Sequence, residues 1–157
     1  MIHETQAVIL DRRCPYSHEK VDFERSISQI RELLVKRGIS KIAEMREIQM
    51  IHLGLPIEAP VVTLVFIYAG RSFMMRFPIT LMQGTAKTPA KLRMDIAGRV
   101  IFHRIKAALI EVDLGIADLT QALCPYLALT VNGKATPFHE ALASEETMKM
   151  LPLQRDV

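Results

Sequence analysis

The sequence of 157 residues contains no tryptophan, only two cysteines and few aromatic residues of any kind. Cys14 and Cys124 are too few and too far apart for a disulfide framework or for a zinc site, which needs about four ligands at close spacing. The five histidines include no pair at the i, i+4 spacing of a helical zinc site. We therefore predict two reduced thiols, no metal and no cofactor.

The chain also lacks a long apolar run, although half of its residues are hydrophobic. No stretch reaches the roughly 18 apolar residues that cross a bilayer, and no charged-then-apolar leader opens the sequence. Neither sign of charge dominates, because the net charge is only +3. Dedicated DNA-packing proteins are far more basic. We expect a cytoplasmic protein without a membrane span, for which nucleic acid is an allowed partner but not a required one.

Length and composition predict one globular domain preceded by an extended arm. A chain of this size buries about two thirds of its unfolded surface and folds without staples. Residues 1–22 contain one short apolar run, Ala7 to Leu10, before a polar segment, and are predicted to form the arm. Residues 23–153 are predicted to form a single α+β domain, and residues 154–157 a tail.

Capping residues and breakers predict the first half of the domain. Ser26 with Gln29 is typical of a capping box, and the helix that follows is expected to end at Gly38. Residues 39–53 fit either a helix or a strand, and we favour the strand. Gly54, Pro56 and Pro60 are then expected to interrupt the chain before the next strand.

The second half is predicted from turn and cap signals. Val61 to Tyr68 is β-branched and aromatic, and Ala69-Gly70 turns it into the alternating strand Arg71 to Ile79. The remaining predicted elements are the long helix, a short helix capped by Asp118, a strand over Tyr126 to Val131 ending at Asn132-Gly133, and a final helix over Phe138 to Met148. The predicted order is α-β-β-β-α-α-β-α.

The long helix is the most distinctive prediction. Thr88 as N-cap and Pro89 at the first helical position open it, and it is expected to run to Leu114. It carries two apolar stripes. The first stripe contains Met94, Ala97, Ile101, Ile105, Ala108 and Val112, and the second contains Leu92, Ile96, Val100, His103, Ala107, Ile110 and Leu114. We predict a mostly antiparallel sheet of three or four strands on one stripe, and the first or last helix, or a second copy in a homodimer, on the other.

Four groups of segments between about Val21 and Leu153 form a recognisable combination. They are Phe23-Glu24-Arg25-Ser26 with Ile30 and Leu33 to Gly38, Arg76-Phe77-Pro78, Ile105 to Val112 with Gly115-Ile116, and Asn132-Gly133. In this combination the sequence resembles a family of uncharacterised proteins encoded in bacterial prophages and other mobile elements. The resemblance implies a shared fold and a mobile-element context, and it implies no activity or catalytic residue.

One short motif suggests thiol chemistry. Cys14-Pro15-Tyr16-Ser17 resembles the monothiol active site of glutaredoxins, and Ala59-Pro60-Val61 could match the proline loop of that family. The motif needs a helix directly after the cysteine, whereas His18 to Arg25 is polar and has no apolar stripe. A glutaredoxin-like function at Cys14 is therefore the alternative interpretation.

Basic residues are the remaining functional candidates. The predicted phosphate contacts are Arg76, Lys87, Lys91, Arg99 and Lys106. Asp95 and Asp113 interrupt the basic strip of the long helix, so ion pairing on a solvated face is the competing interpretation. The sequence thus predicts a non-enzymatic accessory protein of a phage or mobile element that binds a partner protein or nucleic acid.

Overall fold

The computed structural model describes residues 7–53, 55–131 and 133–142, and in these residues the chain is α+β with mostly antiparallel pairing. The strands are β1 (Val8–Leu10), β2 (Ile42–Leu53), β3 (Leu55–Tyr68), β4 (Arg71–Arg76), β5 (Thr80–Met82), β6 (Lys91–Leu92), β7 (Ala128–Val131) and β8 (Lys134–Pro137). The helices are α1 (Phe23–Val35), α2 (Met94–Asp113), α3 (Leu119–Ala122) and α4 (Phe138–Leu142), with a 3₁₀ turn at Cys124–Tyr126.

The core lies between the sheet β2-β3-β4 and the two longer helices. The predicted hairpin is confirmed, because β3 and β4 pair around Ala69 and Gly70, both of which have positive φ. Five side chains on one sheet face are buried, and they share a single core with apolar residues of α1 and α2. The sheet contributes Val62, Leu64, Phe66, Phe73 and Met75, and the helices contribute Ile27, Ile30, Leu34, Met94, Ala97, Ile101, Ile105 and Leu109.

Helix α1 begins earlier than predicted. The side chain of Asp22 caps it by accepting the backbone N–H of Arg25 at 2.7 Å, so the predicted capping box at Ser26 is wrong. Ser26 instead lies inside the helix and is fully buried against α2. The predicted end is confirmed, because Gly38 has φ of +85° and follows the last turn.

Helix α2 begins later than predicted. Thr88 does not cap it, since the hydroxyls of Thr85 and Thr88 bond each other at 2.7 Å and close a separate turn. The chain then pairs as β6 with β5, and the backbone N–H of Arg93 bonds Thr80 O at 2.8 Å before the helix starts. Pairing with a strand distant in sequence therefore overrides the local cap-and-proline signal. The predicted stop at Gly115 is confirmed by its φ of +72°.

The two apolar stripes of α2 have different environments. The first stripe faces the core, as expected. The second is buried at Ile96 but exposed at Val100, Ile110 and Leu114, so no described helix covers these three residues, and the predicted alternative of a second copy stays a prediction. Helix α1 instead approaches α2 along Gly98 and Arg99, where a Cβ on Gly98 would lie 2.8 Å from the Cβ of Ser26. The missing side chain at Gly98 allows this close contact.

Two smaller sheets, β1-β5-β6 and β7-β8, complete the described fold. Strand β1 pairs in parallel with β5, which also pairs with β6. Strand β7 confirms part of the strand predicted over Tyr126 to Val131. It pairs with β8, which was not predicted, across a turn in which Gly133 has positive φ and Asn132 lies outside the described residues. Thr136 and Pro137 are the last residues of β8, and helix α4 follows them directly. Helix α4 is described through Leu142, and the rest of the helix predicted to Met148 lies outside the described residues.

The predicted strand over residues 39–53 is confirmed, but the predicted break at Pro56 and Pro60 is wrong. Strand β3 runs continuously through both prolines, and it pairs with β2 from Leu55 to Phe66. The N–H of Phe77 bonds Val62 O at 3.0 Å, so even-numbered residues of β3 direct their backbone groups towards β4. Strand β4 pairs only with residues 63–68 of β3. The two prolines therefore lack an N–H on the side of β3 that faces β4, at positions beyond the end of β4 where no described strand would accept the hydrogen bond.

Candidate protein-interaction edge and the predicted site residues

Arg99, a predicted phosphate contact, lies at the buried junction of α2, α1 and the N-terminal segment. The residue is 6% exposed. Its Nε lies 3.1 Å from Glu19 Oε2, and its Nη1 donates to Gln29 Oε1 at 2.7 Å. The guanidinium also stacks 4.3 Å from the centre of the Phe102 ring. These contacts join three parts of the chain, and they leave the guanidinium enclosed instead of facing solvent phosphate.

The N-terminal segment covers the middle of α2. The ring of Tyr16 stacks on His103 at 4.8 Å, and Arg93 Nη2 donates to the carbonyl of Ser17 at 3.0 Å. His103 Nε2 is buried and makes no hydrogen bond to any of the described residues, and Glu19 Oε1 is 3.9 Å away. The polar segment after β1 is thus held to the domain through aromatic and charged contacts, and it covers part of the second stripe at His103.

Cys14 lies half-buried within this segment, in a series of tight turns. Its N–H bonds Asp11 O at 3.2 Å, and the N–H of Ser17 bonds Cys14 O at 3.4 Å. Helix α1 begins only at Phe23, so no helix follows the cysteine directly. Pro60, the candidate for the proline loop, lies inside β3. The helix N-terminus that activates a glutaredoxin-like thiol is therefore not formed at Cys14.

Arg76, a second predicted phosphate contact, is paired within the chain. Its Nη1 lies 2.5 Å from Glu140 Oε2, which connects β4 to α4. Beside this pair, the rings of Tyr126 and His139 meet edge-to-face at 5.7 Å. Burial raises the pKa of the Tyr126 phenol and lowers the pKa of the His139 imidazole, so both rings are favoured in the neutral form. The arrangement is that of a packed polar cluster between helices and sheet.

The three predicted lysine contacts are exposed. Lys87 lies in the turn between Thr85 and Thr88, Lys91 lies in β6, and Lys106 lies on α2. Because Arg76 and Arg99 are held in internal ion pairs, the basic surface that the sequence predicted is reduced to these lysines among the five candidates.

A surface that sequence reasoning missed is formed by the outer edge of β2. Among the described residues β2 pairs only with β3, and its odd-numbered residues lie opposite the odd-numbered residues of β3, whose backbone groups are directed towards β2 and away from β4. Even-numbered residues of β2 therefore direct their backbone groups away from the sheet. The contact of Arg31 Nη1 with the carbonyl of Ile42, at 3.3 Å, agrees with this direction. A long row of backbone donors and acceptors thus faces outwards.

Large apolar side chains accompany this edge. Ile48 is 74% exposed, and Met45 and Met50 are each 48% exposed. Ile48 and Met50 share the sheet face that is core further along the strand, whereas Met45 lies on the opposite face. The only charged contacts described within β2 join Arg46 to Glu44, at 2.7 Å, and to Glu24 of α1, at 2.7 Å, and Glu44 to Arg31, at 3.6 Å. Residue types alone gave no signal for this edge, because Ile48 and Met50 fit a half-buried strand whether or not β2 has a second neighbour.

A pair of proline substitutions tests the direction of the backbone groups. Ile48→Pro removes an outward N–H opposite Pro60, so we expect the free energy of unfolding to fall by less than about 1 kcal/mol. Glu47→Pro removes an N–H directed at β3 and is expected to cost about 1–3 kcal/mol more. Urea unfolding of the two variants measures the difference. Equal losses would show that the assigned directions are wrong.

Metal and membrane sites are not supported by the described residues. Within residues 7–53, 55–131 and 133–142, no three side chains capable of binding a metal ion come together. None of the helices in that part of the chain is both long and apolar enough to traverse a bilayer.

Comparisons with known proteins provide no match from which a function could be inferred. No protein-family model matches the sequence, and no curated protein or solved structure is significantly similar to it. A function is therefore inferred from the positions of the side chains and backbone groups described above.

Proposed function

We propose that this chain is a non-enzymatic protein-binding module that adds a strand of its partner to the outer edge of β2. The observation that carries the proposal is the outward row of backbone groups along β2, with which no described strand pairs and of which the Ile42 carbonyl is bonded by Arg31. A strand added there gains main-chain hydrogen bonds, and side-chain contacts on alternating positions supply selectivity. Met45 and Ile48 are exposed on opposite faces and can contact both faces of an added strand.

The positions of the charged residues favour a protein partner over a nucleic-acid partner. Arg99 and Arg76 neutralise Glu19 and Glu140 inside the chain, whereas phosphate binding uses cations that are free to replace counterions. The edge of β2, by contrast, carries exposed apolar side chains and a balanced set of charges. The mobile-element context implied by the resemblance stays a prediction, and it fits a protein that acts through partners.

A peptide selection tests the proposal. A displayed library of random peptides is selected on the wild-type protein and counter-selected on Ile48→Pro, which removes an outward donor and keeps the inward ladder. We expect peptides with alternating apolar and polar residues, bound about tenfold more weakly by Ile48→Pro, or ~1.4 kcal/mol. Lys106→Ala, on the exposed face of α2, is the matched control and should leave peptide binding unchanged.

A salt series separates the two classes of partner. Binding of wild-type protein to short DNA and RNA is measured at about 50 and about 200 mM salt. We expect no affinity that falls with salt. Peptides that bind wild type and Ile48→Pro equally, or a strongly salt-dependent nucleic-acid affinity, would overturn the proposal.

A further inference from the structure

The strand that the β2 edge fits best is the β2 edge of a second copy. We propose that two chains pair through β2 in antiparallel orientation, with Met45 of one copy opposite Met45 of the other, so that β2-β3-β4 continues across a two-fold axis. This inference rests on the function proposed above and names the partner as a second copy of this chain.

Backbone direction limits the registers that are available. A two-fold axis perpendicular to the sheet keeps the same face of both copies on the same side, so each residue lies opposite one of equal parity. The outward groups belong to even-numbered residues in both copies, and they therefore meet each other as hydrogen-bonded pairs. Odd-numbered residues form the closer, non-hydrogen-bonded pairs between them.

Charge selects one register from this set. A register centred on Glu44 or on Glu47 places two carboxylates directly opposite, and one centred on Arg46 places two guanidinium groups opposite. A register centred on Ile48 brings no opposite charges together. Only the register centred on Met45 places Glu44 of each copy opposite Arg46 of the other. Charged residues on an edge strand usually prevent two sheets from pairing. Along β2, however, Glu44 and Arg46 are spaced so that two antiparallel copies place opposite charges against each other.

The same register also covers apolar surface. Ile48 is 74% exposed in the single chain, and it lies opposite the half-buried Ile42 of the other copy. Both residues are on the sheet face that forms the core, and the two Ile42–Ile48 contacts would flank the Glu44–Arg46 pairs that lie between them on that face. Met45, on the outer face, lies against its own counterpart at the axis.

Cysteine cross-linking tests the register. In a background with Cys14→Ser and Cys124→Ser, Met45→Cys places two thiols in a non-hydrogen-bonded pair, with Cα atoms about 4.5 Å apart, within the disulfide range. We expect a covalent dimer after mild oxidation. Glu47→Cys is the matched control, since it is exposed on the same face but lies opposite Ala43. Cross-linking of both variants, or of neither, would overturn the register.

Charge reversal tests the pairing without a covalent bond. Glu44→Arg and Arg46→Glu each place like charges opposite one another, and each variant alone should self-associate about tenfold more weakly than wild type in sedimentation velocity. An equimolar mixture should recover association, because the arginines of one variant then face the glutamates of the other. Wild-type association in each single variant would contradict the proposal.

The outcomes distinguish this inference from the function on which it rests. A chain that selects strand peptides at β2 but stays monomeric at its highest soluble concentration overturns the second copy as partner and leaves the proposed function in place. A chain that neither selects peptides nor self-associates overturns both.

Discussion

Replacing Arg99 by methionine is expected to lower the free energy of unfolding by about 3 kcal/mol, because it leaves more than one hydrogen-bonding group at a buried junction without its donor. The guanidinium is almost fully buried and is the shared donor to Glu19, Gln29 and Ser26. Methionine fills much of the volume but donates nothing, so the buried Ser26 hydroxyl and the Gln29 amide each lose a partner. Denaturant unfolding followed by circular dichroism measures the loss.

Two further variants show whether burial is the cause. Lys106→Met makes the same kind of replacement at an exposed position of α2, and it should change stability by less than about 0.5 kcal/mol. Arg99→Lys should recover little, because one ammonium group cannot reach acceptors on α1 and the N-terminal segment together. If Arg99→Met were as stable as wild type and only nucleic-acid binding were lost, Arg99 would be a surface phosphate contact after all.

Substituting Gly84 by alanine is also expected to lower the free energy of unfolding by about 3 kcal/mol, which is the upper end of the usual range for overpacked positions. A Cβ at this position would lie 2.5 Å from the carbonyl oxygen of Thr88 and 2.7 Å from the backbone nitrogen of Ala90. Backbone atoms cannot turn away as the tip of a side chain can. The turn that leads from β5 to β6 would therefore have to open, and the pairing of Lys91–Leu92 with β5 would weaken.

Thermal unfolding and hydrogen exchange measure this second effect. Gly84→Ala should lower the melting temperature and speed the exchange of the Arg93 amide, which bonds Thr80 O beside the β5–β6 pair. Ala86→Ser, an exposed change in the same turn, is the matched control and should leave both unchanged. A Gly84→Ala protein as stable as the control would mean that the turn does not approach Gly84 as closely as described.

Edge pairing explains why the interaction surface could not be predicted from residue types. Ile48 and Met50 fit a half-buried strand equally well whether or not another strand pairs with β2. Their exposure depends on where β4 and α1 end relative to the long β2–β3 hairpin. The charges of Glu44 and Arg46 also become informative only when the outward direction of their backbone groups is known.

Local sequence signals were sufficient to predict the features that depend on a few adjacent residues. The Ala69-Gly70 hairpin, the helix stops at Gly38 and Gly115 and the cap at Asp118 were all predicted correctly, because left-handed turns and caps need particular residue types at particular positions. The α+β class followed from the same local signals and their periodicity.

The remaining features depend on contacts between residues that are distant in the chain, so they became known only from the folded structure. Pairing with β5 replaced the expected helix start at Thr88, and the contact of Ser26 with Gly98 explains why a predicted cap is a buried packing residue. Arg99 carries the same charge as any basic surface residue, and only the folded positions of Glu19 and Gln29 made it internal. Long-range contacts are worth more than a single cap or ion pair on the surface, so they override local preference wherever the two compete.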